Sequence, residues 1–186
     1  HNLWLGLDNG IDYVEINLPL SYIRQTGGFG TGYSSIVFNN KLYAGTNEGL
    51  FCLDLNQKVP NATAMLDFKF IENTNGQVWK MINISNLLVC AHNSGLFIID
   101  GYKASLIPDL VGVWDIAPVP NHHDLFIAGT YHGFYIFQIK DGKLFMRNKV
   151  EGFNESSRRY FFDDAGNIWM SHSYKGVFRL KIADGL

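Results

Sequence analysis

The sequence lacks the charge pattern and the long apolar segments that mark several classes of protein. Its 15 Lys and Arg residues and 17 Asp and Glu residues give a net charge of −2 and form no basic stripe, which argues against a nucleic-acid partner. No apolar stretch reaches the roughly 18 residues of a membrane-spanning helix, so any membrane contact would be made by segments outside this chain. The first residue is His1 and the sequence carries no signal peptide; we expect it to be a piece of a longer parent.

Motifs of common catalytic and cofactor sites are also missing. No Ser, His and Asp follow the order of a catalytic triad with a nucleophile elbow, and no P-loop or dinucleotide-binding glycine pattern opens a helix. The glycine-rich segment 27–32 precedes an apolar strand-like segment, which indicates a loop. We therefore predict no catalytic residues and no cofactor.

Cysteine is scarce. The two cysteines, Cys52 and Cys90, lie inside apolar strand-like segments, and this placement predicts buried thiols. A disulfide would need the two backbones within about 7 Å of each other, which nothing in the sequence requires.

The sequence does contain a repeat. Each copy has an apolar triplet, a small residue, a short polar break, a glycine and a second apolar run. The copies lie at 2–16, 41–55, 86–100, 124–139 and 167–182, and their small residues are Gly6, Gly45, Ala91, Gly129 and Ser171. A period of about 40 residues with only strand-like segments is typical of propeller blades.

Further strand-like segments flank the repeated unit. Apolar segments precede four copies, at 34–39, 78–84, 112–118 and 158–163. More polar segments follow four copies, at 18–24, 64–71, 103–107 and 143–149, as expected for the outer edge of a sheet. Each full repeat is therefore predicted to be one antiparallel blade of four strands, a to d, from the innermost to the outermost. The blades are predicted at 1–27 (partial), 33–72, 76–108, 111–150 and 157–186 (partial).

The first and last copies are each one strand short. We therefore predict an all-β fragment of a β-propeller, an open arc of about five blades, over a closed five-bladed ring. Such an arc exposes apolar edges, so self-association is a further expectation.

Two of the copies resemble a known repeat. The segments DDAGNIWMSHSYKGVFRLKI and NLWLGLDNGIDYVEI are similar to the two-component regulator propeller repeat, roughly Asp-x-x-Gly-x-Ile-Trp-apolar-Gly-Thr. The middle copies match less well, and Ser171-His172 replaces the Gly-Thr pair. The resemblance implies a periplasmic sensor region of a hybrid two-component histidine kinase of the Bacteroidetes, responding to a small carbohydrate, with any kinase outside this chain.

Candidate ligand-binding residues lie mainly in the turns between strands b and c, which we call the b–c rim. Polar and aromatic side chains there suit sugar hydroxyls and ring faces, although turns are also polar because they face water. The rim candidates are Asp8, Asn47, Glu48, His92, Asn93, Tyr131, His132, His172 and Tyr174. Arg158 is added from the start of the last inner strand, where it could contact a sugar or an anion.

Two other patterns are interpreted as structural. His92, His132 and His172 occupy comparable turns but lack the short spacing of a zinc site, so we predict no metal. Trp114-Asp115 is not the WD40 dipeptide in its usual place, and Trp114 is expected in the core. A protein-interaction scaffold remains an alternative function, and so does part of a propeller lyase or lactonase, because a fold alone does not exclude catalysis.

Overall fold

A computed structural model describes residues 3–7, 10–14, 29–56 and 67–182 of the 186-residue chain. These residues form strands and turns, with no helix among them. The strands build an open arc of antiparallel sheets, which confirms the predicted fold class. The predicted outer strand at 18–24 lies outside the described residues.

Within the described ranges, seventeen strands form five sheets in chain order. The first sheet pairs β1 (Leu3–Leu7) with β2 (Gly10–Val14). The second contains β3 (Gly32–Phe38), β4 (Lys41–Thr46), β5 (Leu50–Asp54) and β6 (Lys69–Phe70). The third contains β7 (Val78–Ile84), β8 (Leu87–His92), β9 (Gly95–Asp100) and β10 (Lys103–Ile107). The fourth contains β11 (Val113–Pro118), β12 (Leu125–Thr130), β13 (Gly133–Lys140) and β14 (Lys143–Lys149), and the fifth β15 (Arg159–Phe162), β16 (Ile168–His172) and β17 (Gly176–Leu180).

The core lies between consecutive sheets. One cluster joins Tyr43 and Leu50 of the second sheet to Val78 and Met81 of the third. A second cluster joins the third and fourth sheets, and a third joins the fourth and fifth. In the second, third and fourth sheets the b and c strands are mostly apolar because neighbouring sheets and loops cover both of their faces.

The small residue at the end of strand b makes this close stacking possible. A Cβ added at Gly45 would lie 2.3 Å from Val78 Cγ1 in the next sheet. A Cβ at Gly129 would lie 2.1 Å from the Ser157 carbonyl oxygen. The repeated small residue therefore sets the distance at which the next inner strand packs.

The segment that matches the Asp-x-x-Gly-x-Ile-Trp pattern most closely, residues 163–169, forms the a–b turn of the last sheet. The Asp163 carboxylate accepts hydrogen bonds from the backbone N–H of Asn167 (2.8 Å) and from the indole N–H of Trp169 (2.8 Å). Gly166 supplies the turn with a φ of +78°. These bonds explain the Asp-x-x-Gly-x-Ile-Trp pattern as a device that holds a turn.

Candidate functional site

The inner strands of three consecutive sheets carry a β-bulge at the same place. In β3 the register passes from Gly32↔Thr46 to Ser34↔Gly45, which leaves Tyr33 as the extra residue. The same shift leaves Trp79 as the extra residue in β7 and Trp114 in β11. Bulges re-aim side chains, and here each one presents an aromatic ring at the start of its inner strand.

These rings form a continuous row. Tyr33 stacks on Trp79 with ring centroids 5.1 Å apart. Trp79 and Trp114 are 4.6 Å apart, and Trp114 and Tyr131 are also 4.6 Å apart. We call these four residues the aromatic row. It crosses three sheets, and each contact stabilises the row by about 0.5–1.5 kcal/mol beyond burial.

Arg158 completes the row in the fifth sheet. Arg159 pairs with the small residue Ser171, as Asp115 pairs with Gly129 in the sheet before. Arg158 therefore occupies the position of Trp114, one repeat later. Its guanidinium carbon lies 4.8 Å from the ring centroid of Trp114 and 5.2 Å from that of Trp79, a cation–π arrangement.

A cavity of about 430 Å³ opens beside the row. It is lined by Tyr33, Ser34, Trp79, Lys80, Trp114, Asp115, Arg158, Arg159 and Tyr160. Lys80 forms an ion pair with Asp115 across the gap between the third and fourth sheets. We call this cavity, together with its lining, the aromatic pocket. Its volume is within the range of small-molecule sites.

Some polar atoms of the pocket have hydrogen-bond partners and one does not. Trp114 Nε1 donates to Ser156 Oγ at 3.0 Å. The Tyr160 hydroxyl donates to the Ile127 carbonyl at 2.7 Å, and burial raises the pKa of this phenol well above its usual value. Trp79 Nε1 is buried with no hydrogen-bond partner among the described residues. An unsatisfied buried donor costs about 1–3 kcal/mol, so Trp79 is held in this position at the expense of a hydrogen bond.

Of the residues predicted from sequence, two belong to this site. Arg158 lines the pocket, and Tyr131 ends the aromatic row. The expectation that Trp114 is a core residue is wrong, because Trp114 is half-buried and faces the cavity. The bulge at Val113/Asp115 turns its ring out of the sheet-to-sheet packing.

Two of the other predicted residues, His92 and His172, hold their turns, as Thr46 does in the second sheet. Thr46 Oγ1 accepts the N–H of Glu48 at 3.0 Å, and His92 Nδ1 accepts the N–H of Ser94 at 2.9 Å in the corresponding turn. His172 Nδ1 accepts from Tyr174 and Lys175 at 3.1 and 3.2 Å. A histidine therefore replaces the motif threonine by using Nδ1 as the acceptor.

His92 is fully buried and lies away from the pocket. Its Nε2 faces the Thr74 carbonyl oxygen at 3.2 Å and its Nδ1 accepts from Ser94, a pattern that requires the neutral ring protonated on Nε2. Burial lowers the pKa of His92, which agrees with that neutral form. His92 thus has no side-chain atom left for a ligand.

The remaining rim candidates lie outside the pocket. Asn47 and Asn93 bond to the segment just before the inner strand of their own sheet, at Thr31 and Gln77. Glu48, His132 and Tyr174 are exposed, Tyr174 to 95%. Asp8 lies outside the described residues. In the part of the chain that the structure describes, no three His, Cys, Asp or Glu residues are placed to hold a metal, and no helix could span a membrane.

Comparison with known proteins gives matches among solved structures. No protein-family model matches the chain, and no curated protein does. The chain aligns over 97% of its length with 28% of the extracellular domain of the putative hybrid two component system BT4673 from B. thetaiotaomicron (TM-score 0.60, 15% identity). The chain aligns over 95% of its length with 24% of the extracellular domain of the putative hybrid two component system BT3049, from the same organism (TM-score 0.58, 16% identity). It also aligns over 100% of its length with 59% of the WD40 beta propeller domain of Doa1 (TM-score 0.54, 14% identity).

The chain has a β-propeller fold. At these identities the likeness shows the fold alone, and it agrees with the family resemblance at that level. The chain spans less than two thirds of each of these three proteins.

Proposed function

We propose that this chain is a non-catalytic segment of an extracytoplasmic sensor propeller of a two-component system. In this proposal the aromatic pocket binds a small carbohydrate-derived signal, and the parent protein carries the membrane segment and the kinase. The fold likeness to extracellular domains of putative hybrid two component systems supports the class of protein.

One observation carries the ligand-binding part of the proposal. Side chains at equivalent positions of four consecutive repeats meet in one place: Tyr33, Trp79, Trp114 and Arg158. Aromatic rings are costly to leave accessible to water unless they bind something, and aromatic walls with a few polar groups are typical of small-ligand pockets. A ligand in this pocket would touch several blades, so its binding would depend on how those blades sit together.

The arrangement favours binding over catalysis. The one carboxylate in the pocket, Asp115, is paired with Lys80. The Tyr160 hydroxyl is engaged with a backbone carbonyl and its pKa is raised, which makes it a poor general base. A propeller lyase or lactonase would need a free base at this place.

The test is titration of the purified chain against a panel of neutral and acidic oligosaccharides by calorimetry. Replacement of Trp79 by Ala should abolish binding. Tyr102→Ala is the matched control, since Tyr102 is an exposed aromatic residue that lies outside the pocket and carries its own cation, Lys69, at 5.7 Å. Absence of binding to every saccharide would contradict the proposal, and turnover of any of them would favour an enzyme.

A further inference from the structure

We propose that the aromatic pocket selects an acidic saccharide, one that carries a carboxylate, over its neutral counterpart. This inference rests on the proposed function and adds the charge class of the ligand. The observation behind it is the charge of the pocket, which is opposite in sign to that of the whole chain.

The pocket carries an excess of positive charge. Lys80, Arg158 and Arg159 face a single acid, Asp115, and the ion pair between Lys80 and Asp115 cancels one charge of each sign. Arg158 and Arg159 have no carboxylate partner among the described residues, whose ion pairs are formed by other side chains. Two uncompensated arginines therefore remain in a chain whose net charge is −2.

The position of Arg158 suits a carboxylate in particular. Its guanidinium lies over the rings of Trp79 and Trp114 at 5.2 and 4.8 Å. A guanidinium packed on aromatic rings through its face keeps its N–H donors at its edge, and that edge matches the two oxygens of a carboxylate. The rings also limit the motion of the side chain, so less entropy is lost when the carboxylate binds.

A bare inorganic anion would leave most of the pocket unused. Phosphate has no apolar surface for the exposed ring of Tyr33, which is 45% accessible, and it would fill a small part of about 430 Å³. A saccharide offers apolar C–H faces to the rings and a carboxylate for the arginines.

The probes are disaccharides of galacturonic, glucuronic and mannuronic acid and the methyl ester of each, which has the same sugar without the charge. Calorimetric titration of the complete chain should give at least a ~10-fold higher affinity for one acid than for its ester, since the ester cannot accept a charge-assisted bidentate pair of hydrogen bonds from an arginine. The affinity for the acid should fall as NaCl is raised, because salt screens the attraction, whereas that of the ester should not.

Variants locate the effect. Arg158→Ala should reduce the affinity for the acid to that for the ester, and Arg158→Lys should restore only part of it. Arg179→Ala is the matched control, because Arg179 is also exposed and also lies over a tryptophan, Trp169, and it should change nothing. Thermal melts of each variant confirm that the fold is intact.

The outcomes separate the two proposals. Equal affinity for the acid and its ester overturns the charge selectivity and leaves saccharide binding in place. So does an unchanged affinity for the acid in both Arg158→Ala and Arg158→Lys. AMP and inorganic phosphate are titrated as further probes. If either binds and no uronate does, the claim that the ligand is a saccharide is wrong and the pocket binds another anion. Binding of no probe at all overturns the proposed function together with this inference.

Discussion

Arg158 lies with its guanidinium carbon 4.8 Å from the ring of Trp114, and the two residues occupy the same position in consecutive repeats. The repeat therefore brings equivalent positions of neighbouring blades into contact, and a single change of residue type in one blade converts an aromatic row into a cationic pocket.

The contact between Arg158 and Trp114 should be measurable as a coupling energy. A double-mutant cycle with Arg158→Ala and Trp114→Leu should give about 0.5–1 kcal/mol, the usual range for an exposed cation–π pair. The measurement is chemical denaturation of the four proteins. Additive effects of the two substitutions would show that the pair is in contact without stabilising the fold.

Much of the fold could be predicted from the sequence because it depends on patterns that the sequence shows directly. Apolar runs, turn glycines and the small residues at Gly45, Ala91 and Gly129 recur at near-constant spacing, and they mark strands, turns and sheet packing. Among the described residues, the repeat therefore locates 16 of the 17 strands, all but the two-residue β6, within a few residues.

The pocket was harder to predict because it depends on register. Strict alternation along β11 would place Trp114 on the same face as Ile116, which is buried. A bulge inverts the direction of a side chain without any signal in composition. Alignment of the inner strands on their paired small residues would have placed Tyr33, Trp79, Trp114 and Arg158 at one position, and that signal was available. Variable a–b turn lengths concealed it, since β11 and β12 are joined by six residues and β3 and β4 by two.

Sheet spacing should be sensitive to a methyl group at Gly129. The Cβ of Gly129→Ala would lie 2.1 Å from a backbone oxygen of the next sheet, so the sheets must separate. We expect a loss of about 1–3 kcal/mol in the free energy of unfolding, or a drop in Tm of several degrees. Gly32→Ala is the control, because a Cβ at Gly32 meets nothing within 4 Å. Equal stability of the two variants would argue against this packing.

The two cysteines should be unreactive in the native protein. Both are free and buried, and burial raises the pKa of Cys52 and raises that of Cys90 to about 12. The thiolate, which is the nucleophile, is therefore scarce at pH 8. Labelling with Ellman's reagent should be negligible in buffer and complete for both thiols in guanidinium chloride. Ser173→Cys, at an exposed turn position, is the positive control, and rapid native labelling of two thiols in the unmutated chain would contradict the burial.

Asp163 should make stability depend on pH in the acid range. Hydrogen bonds from Trp169 and then from Asn167 lower the pKa of Asp163 from 3.8 to about 2. A group whose pKa is lowered by folding stabilises the fold fully above its unfolded pKa, and this stabilisation is lost as the pH falls through the folded value. Asp163→Asn should therefore lower Tm at pH 6. The difference in Tm between this variant and the unmutated chain should shrink between about pH 4 and pH 2. Asp164→Asn, at the exposed neighbouring position, should show no such trend.

The last sheet should associate with a second copy of the chain through the face formed by Phe161, Trp169 and Val177. Val177 pairs with Ser171 as Leu50, Leu96 and Phe134 pair with the small residues of the earlier sheets. Those three side chains are 0% exposed because the next sheet covers them, whereas Val177 is 67% exposed and Phe161 63%. An uncovered apolar sheet face of this kind binds a similar surface, and another copy is the partner present in a pure sample.

Sedimentation velocity should show a mass that rises with protein concentration, and Val177→Lys should leave only the monomer. Val111→Lys, at a position 64% exposed outside this face, should leave the association unchanged. A monomer at all concentrations would mean that the exposed face does not bind a second copy.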